Sequence, residues 1–190
     1  MSTQVSLEKR VPAEVGFWFF ILGEMSVFSL FFGAYLWNLG SHRQAFAEDA
    51  SNLVVPLGLL NTLVLLASSY VVVKAVIAQR SGDNLLAQRM VGLALAGGGL
   101  FVLFKVAEYV VELSGGHGLT TSRFFGYYYV LTGLHLMHVA IGSVLLLTWR
   151  RGLSQSRTSM RWAECAAGYW HMVDLLWLVI FSIVYIGTHA

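Results

Sequence analysis

Five apolar stretches, 13–39, 53–78, 90–113, 124–149 and 164–189, each hold at least 24 residues. About 20 suffice to cross a hydrocarbon core roughly 30 Å thick. Within such a core every backbone polar group must be bonded inside the chain, and a helix does this alone. The chain is therefore read as an all-α integral membrane protein, with five transmembrane helices bundled into a single membrane domain over 1–190. With 57% hydrophobic and 12% charged residues, it lies outside the range of soluble domains. The two prolines, Pro12 and Pro56, fall near helix starts, where a missing N–H costs little, so long and straight helices are expected. The first stretch is too long for the apolar part of a secretion signal, and is expected to stay in the mature protein.

Charge placement orients the bundle. If five helices alternate, Lys9, Arg10, Lys74, Arg80, Arg89, Arg150, Arg151, Arg157 and Arg161 fall on one side and only Arg43 and Arg123 on the other. Loops rich in Lys and Arg stay inside, so the N-terminus is expected in the cytoplasm and the C-terminus outside. The net charge of +2 carries no nucleic-acid signature, and no nucleic-acid partner is expected. The connectors 40–52 and 79–89 are too short for domains.

Polar groups inside the apolar stretches carry the functional information. An ionisable side chain at mid-bilayer costs about 2.5–3.5 kcal/mol on the insertion scale, so it persists where a partner or a cavity receives it. The stretch ECAAGYWHMVDLLW (164–177) holds Glu164, His171 and Asp174 near one helical face about two turns long. The first span carries Glu24 beside Gly23, with Gly16 seven residues earlier, as a small-residue seam with one acid. Glu24 either fixes packing or handles protons. In the second span Asn61 and Ser68 lie seven apart, with Thr62 and Ser69 alongside, and all four suit hydrogen bonds between helices. The third has a glycine run at 97–99, then Lys105 and Glu108 spaced for an intramembrane ion pair, with Glu112 near the outer interface. The fourth aligns Thr132, His135, His138 and Gly142 in a stripe, and Tyr127, Tyr128 and Tyr129 read as interfacial anchors.

In order along the chain, GFWFFILGEMSVFSLFF (16–32), NTLVLLASS (61–69), KVAEY (105–109), YYVLTGLHLMHVAIG (128–142) and YWHMVDLLW (169–177) resemble the subunit III family of haem-copper respiratory oxidases. The resemblance covers almost the whole chain and is to a short, five-helix form. Longer members have two further helices ahead of the first one here. Lys105 stands where many oxidase members have glutamine, and looks more like the branch that accompanies nitric oxide reductases.

The resemblance implies a subunit with no redox centre of its own, which packs on a haem-containing catalytic chain of the subunit I type and on other oxidase or reductase subunits. Haem and copper or iron would sit in those partners. It also implies binding of structural phospholipid, support of proton uptake and durable turnover, and a place in a bacterial inner membrane. It maps the family's intramembrane acid and histidine positions onto Glu24, His135, His138, His171 and Asp174, as structural or proton-related groups and not metal ligands. Because an unpaired acid or imidazole at this depth is costly, His171 and Asp174 are expected to join Glu24 and His138 in one buried polar cluster that locks the helices together.

The residue inventory points the same way. Cys165 is the only cysteine, and a copper electron-entry site needs a cysteine pair. The rival from another class is a small membrane b-type cytochrome or metal-binding bundle enzyme. In it His138 and His171 would ligate one haem, or Glu24, His171 and Asp174 would hold a metal. A transporter would favour interrupted helices, against which the scarcity of proline argues.

Overall fold

A computed structural model describes residues 15–155 and 157–187. The expected start of the first span at Ala13, the expected end of the last at His189, and the cations Lys9 and Arg10 lie outside the described residues. Six α-helices follow in order: α1 (Val15–Ser41), α2 (Arg43–Ala50), α3 (Val55–Arg80), α4 (Asn84–Ser114), α5 (Arg123–Ser154) and α6 (Met160–Phe181). All except α2 are long and apolar enough to cross a membrane. The short α2 occupies the connector expected at 40–52, and its Phe46 is buried against Tyr35 and Phe124.

Helix ends depart from the hydropathy windows because side chains, not apolarity, set them. Asp83 accepts a hydrogen bond from Leu86 N, which starts α4 at Asn84 and not at residue 90. Ser122 and Ser159 cap α5 and α6 in the same way, satisfying donors that the first turn leaves free.

The expectation of uniformly straight helices fails in the last span. Ser182–Ile186 forms a π-turn closed by Gly187 N donating to Ser182 O at 2.8 Å. Counting prolines addresses only one cause of helix irregularity, and an inserted wide turn is another. Here the turn carries Tyr185 into the core, while the carbonyl of Ile183 accepts from Tyr35 Oη at 3.2 Å.

α6 is the most enclosed span and α1 the least. Trp170 of α6 wedges between two glycines, since a Cβ at Gly98 would lie 2.7 Å from its ring and one at Gly142 2.9 Å away. Its Nε1 donates to Ser68 Oγ at 3.1 Å, and seven residues on Trp177 Nε1 donates to Thr62 Oγ1 at 3.0 Å. Two indoles thus stitch α6 to α3, each placing its one polar atom on a hydroxyl. Ser68 in turn donates to Ala94 O of α4. Among the described residues the Gly16 and Gly23 seam meets no other helix, because a Cβ at either would find nothing within 4 Å.

Candidate functional site: buried polar clusters

The polar residues of the spans do not form one cluster but several, each assembled by a different set of helices. The most enclosed surrounds Lys105 of α4. Its Nζ lies 3.2 Å from Glu108 Oε1, and donates to Tyr128 Oη at 3.1 Å and Tyr185 Oη at 2.6 Å. Both tyrosine hydroxyls in turn donate hydrogen bonds to Glu108 Oε1, at 2.8 Å and 2.5 Å. The ammonium also lies 4.4 Å from the Tyr128 ring centroid, close enough for a cation–π contact. Lys105 and Glu108 are fully sealed from the outside of the chain, so the charge is balanced by three groups from α4, α5 and the π-turn. The ion pair is where the spacing placed it. Tyr128 is not an interfacial anchor as expected. Its position four residues before Thr132 and seven before His135 puts it on the buried stripe, and that periodicity was the available signal.

Towards the α2 end of α4 the acids continue. Glu112 is buried, with Oε2 3.0 Å from His117 Nδ1, and the His117 ring stacks on Phe125. Tyr109 Oη and Thr132 Oγ1 pair at 2.6 Å.

A second cluster joins α1 to α5. Glu24 Oε2 is 3.1 Å from His138 Nε2, and His138 Nδ1 is 2.7 Å from Leu134 O. A carbonyl only accepts, so Nδ1 carries a proton. The Nε2–Oε2 contact then holds one more proton, either on the acid or on the imidazole. Phe28 packs edge-on against the ring and Tyr169 lies parallel to it. Glu24 remains partly exposed on the outer surface of the bundle, with 27% of its side chain open against 5% for His138.

A third lies between α3 and α6. His171 Nδ1 is 2.7 Å from Ser69 Oγ. Asp174 is buried one turn on, near the same serine, yet neither of its oxygens completes a hydrogen bond. Ser69 stands alongside Ser68 among the second-span groups suited to bonds between helices, and its partner is His171. Glu164 shares a groove with His171 but pairs elsewhere, with Arg80 Nη2 at 3.0 Å across α3 and α6. His135 is fully buried between Phe101 and Trp177, with both ring nitrogens unpartnered, and Asn61 is buried with its amide unpartnered.

No hydrogen bond or ion pair connects the Glu24–His138 pair to His171 or Asp174 among the described residues. Neither do those residues contain a group of three or more His, Cys, Asp or Glu arranged to hold a metal ion. For the haem alternative, both ring nitrogens of His138 are already engaged, one by a carbonyl and the other by Glu24.

The comparisons with known proteins bear on this set of spans as a whole. Residues 6–189 match the family model described as cytochrome c oxidase subunit III. The chain belongs to that family. It is 36% identical over 172 residues to cytochrome c oxidase subunit 3 of Synechocystis sp., covering 88% of this chain and 72% of the relative. The protein of that name from Thermostichus vulcanus is 35% identical over 182 residues, covering 92% and 87%. A relative from Pseudomonas aeruginosa, 27% identical over 177 residues and covering 90% and 83%, is named a cytochrome bo(3) ubiquinol oxidase subunit 3. The family is thus that of a non-catalytic subunit of haem-copper oxidases, and its members go by the names of both cytochrome c and quinol oxidases. The chain is a multi-pass membrane protein of this family.

Proposed function

We propose that this chain is the subunit III of a bacterial haem-copper oxidase, seated in the inner membrane against a haem-bearing chain of the subunit I type. There it stabilises the assembled complex, binds phospholipid, and supports proton uptake by the catalytic chain. The carrying observation is the Glu24–His138 pair. It is a one-proton contact at mid-span, between the most loosely packed helix and the stripe of α5, with the acid partly open to the outside of the bundle. A group that holds a proton and faces outward suits exchange with a neighbouring chain better than catalysis within this one.

The remaining polar groups favour a structural task. Lys105, Glu108, Tyr128 and Tyr185 consume each other's bonding capacity, and Ser68 and Thr62 are taken by tryptophans. The unfilled Gly16 and Gly23 seam offers a close-approach face for a partner helix. We assign Lys105 to internal charge balance, and read the chain as an oxidase component on the names of its relatives in preference to a nitric oxide reductase accessory.

The test is purification of the tagged chain from its own membranes in mild detergent. A haem spectrum should copurify, and deletion of the chain should shorten the time over which oxidase activity per haem persists. A free, haem-less chain together with unchanged oxidase activity on deletion would overturn the assignment.

A further inference from the structure

α1, α3 and α6 enclose a groove of about 420 Å³ at the end of the bundle where α3 finishes and α6 begins. The ion pair of Arg80 and Glu164 stands at its mouth, with the Arg80 side chain 56% exposed. His171 lines the groove seven residues further along α6 than Glu164, which sets the imidazole about 10 Å deeper in the span. From α1 the groove receives only Phe17 and Trp18.

Behind His171 the polar contacts run inward. Nδ1 lies 2.7 Å from Ser69 Oγ, so Nε2 is the ring nitrogen left for the groove, and no hydrogen bond engages it among the described residues. Ser69 makes no bond within its own helix. The hydroxyls of Ser26, Ser29, Thr62 and Ser143 donate to the carbonyl four residues back, whereas that of Ser69 is turned to α6. Beside it Asp174 is 4% exposed, with neither oxygen bonded. No ion pair involves His171 or Asp174 among the described residues, and the two charged groups of the groove neutralise each other. A sealed carboxylate without a donor is costly, and one proton removes the cost.

We propose that Asp174, Ser69 and His171 form a one-proton store that fills and empties through this groove. A proton carried by water in the groove joins Nε2, the proton on Nδ1 passes to Ser69 Oγ, and the serine's own proton moves to the Asp174 carboxylate. Asp174 gains one proton, and the imidazole stays neutral with its hydrogen on Nε2 in place of Nδ1. The same three transfers in reverse return the proton to the groove, with no ring flip and no second exit. The arrangement is a reservoir and not a wire, since no hydrogen bond among the described residues leads onward from Asp174 to the Glu24–His138 pair. The store goes beyond the structural task of the other buried groups, and rests on the proton-uptake reading for what it serves.

The experiment is infrared difference spectroscopy of the purified complex in mildly acidic buffer as light water is exchanged for heavy water. The samples are wild type, Asp174→Asn, Ser69→Ala, Ser69→Thr and Val76→Trp. Wild type should show the carbonyl band of a protonated carboxyl group that Asp174→Asn lacks, and that band should shift within the mixing time. Ser69→Ala removes the middle carrier and should slow the shift about 100-fold, the weight of one positioned proton carrier. Ser69→Thr keeps a hydroxyl and should restore the rate. Val76→Trp fills the groove with all three carriers in place, and should slow the shift as well. No band lost in Asp174→Asn overturns the proposal. So does equal exchange in wild type and Ser69→Ala, which would leave Ser69 as a tie between helices. The haem absorbance of the same samples reads the subunit assignment separately, since a haem-less chain with fast, Ser69-dependent exchange refutes that assignment and leaves the store standing.

Discussion

Replacing Glu108 by methionine tests the Lys105 cage most directly. The substitution removes the carboxylate 3.2 Å from Nζ and the acceptor of both tyrosine hydroxyls, while keeping side-chain length. Breaking a buried ion pair on one side costs about 3–5 kcal/mol, because the surviving charge stays in a low-dielectric interior. The Tyr128 and Tyr185 rings return part of this through cation–π contact, about 1–2 kcal/mol for a desolvated cation. A net loss of about 3 kcal/mol is expected for Glu108→Met, with a similar loss for Lys105→Met. In the double variant no charge remains, the hydroxyls of Tyr128 and Tyr185 are the only groups to satisfy, and the loss should fall to about 1–2 kcal/mol. The assay is reversible unfolding in mixed detergent, run as a double-mutant cycle. Coupling of several kcal/mol is the expected outcome, and additive single losses would refute the claim that the pair is sealed and mutually compensating.

Four further outcomes follow from the geometry. Gly142→Ala should destabilise the chain by about 1–3 kcal/mol in the same assay by pressing on the Trp170 ring, whereas Gly23→Ala should leave the isolated chain unchanged because nothing stands within 4 Å. Glu24→Gln should assemble normally, keeping a hydrogen bond to His138, and show its effect as slower haem-normalised turnover; normal turnover at all substrate levels would remove the proton assignment. Asp174→Asn should assemble as well as wild type, since neither carboxyl oxygen is bonded, and a fall in assembled complex on immunoblot would contradict this. Labelling of whole cells with an impermeant thiol reagent should modify Thr120→Cys and spare Gln155→Cys, with the reverse pattern inverting the orientation drawn from the cation count.

What the sequence revealed and what it hid divides along a physical line. Spans are legible because a bilayer demands long apolar runs, and the Lys105–Glu108 pair because three-residue spacing alone brings the two together on one helix. Contacts between helices depend on register and rotation. Hence Glu24 meeting His138, and Ser69 meeting His171, had no local signature, and the expected union of Glu24, His138, His171 and Asp174 resolves into those two pairs with Asp174 left unbonded. Tyr185 joins the Lys105 cage from within the π-turn, and a periodicity argument that assumes regular helix has no reason to anticipate a wide turn at that point.

The loose seating of α1 bears on the order in which the bundle is made. Its polar tethers to the other spans include Glu24 on His138, Tyr35 on a carbonyl of the π-turn, and Asn38 on Tyr127. Two of those partners lie on α5, and the third is in the turn that closes α6. The helix synthesised first among the described spans thus has little to dock on until α5 and α6 have been inserted. In the interval it stands in the membrane as a separate rod, with its mid-span acid unpaired. Assembly chaperones or a partner subunit would find it most accessible during that interval, and a ribosome-bound chain truncated before α5 should leave α1 unprotected from lipid-phase carboxyl reagents.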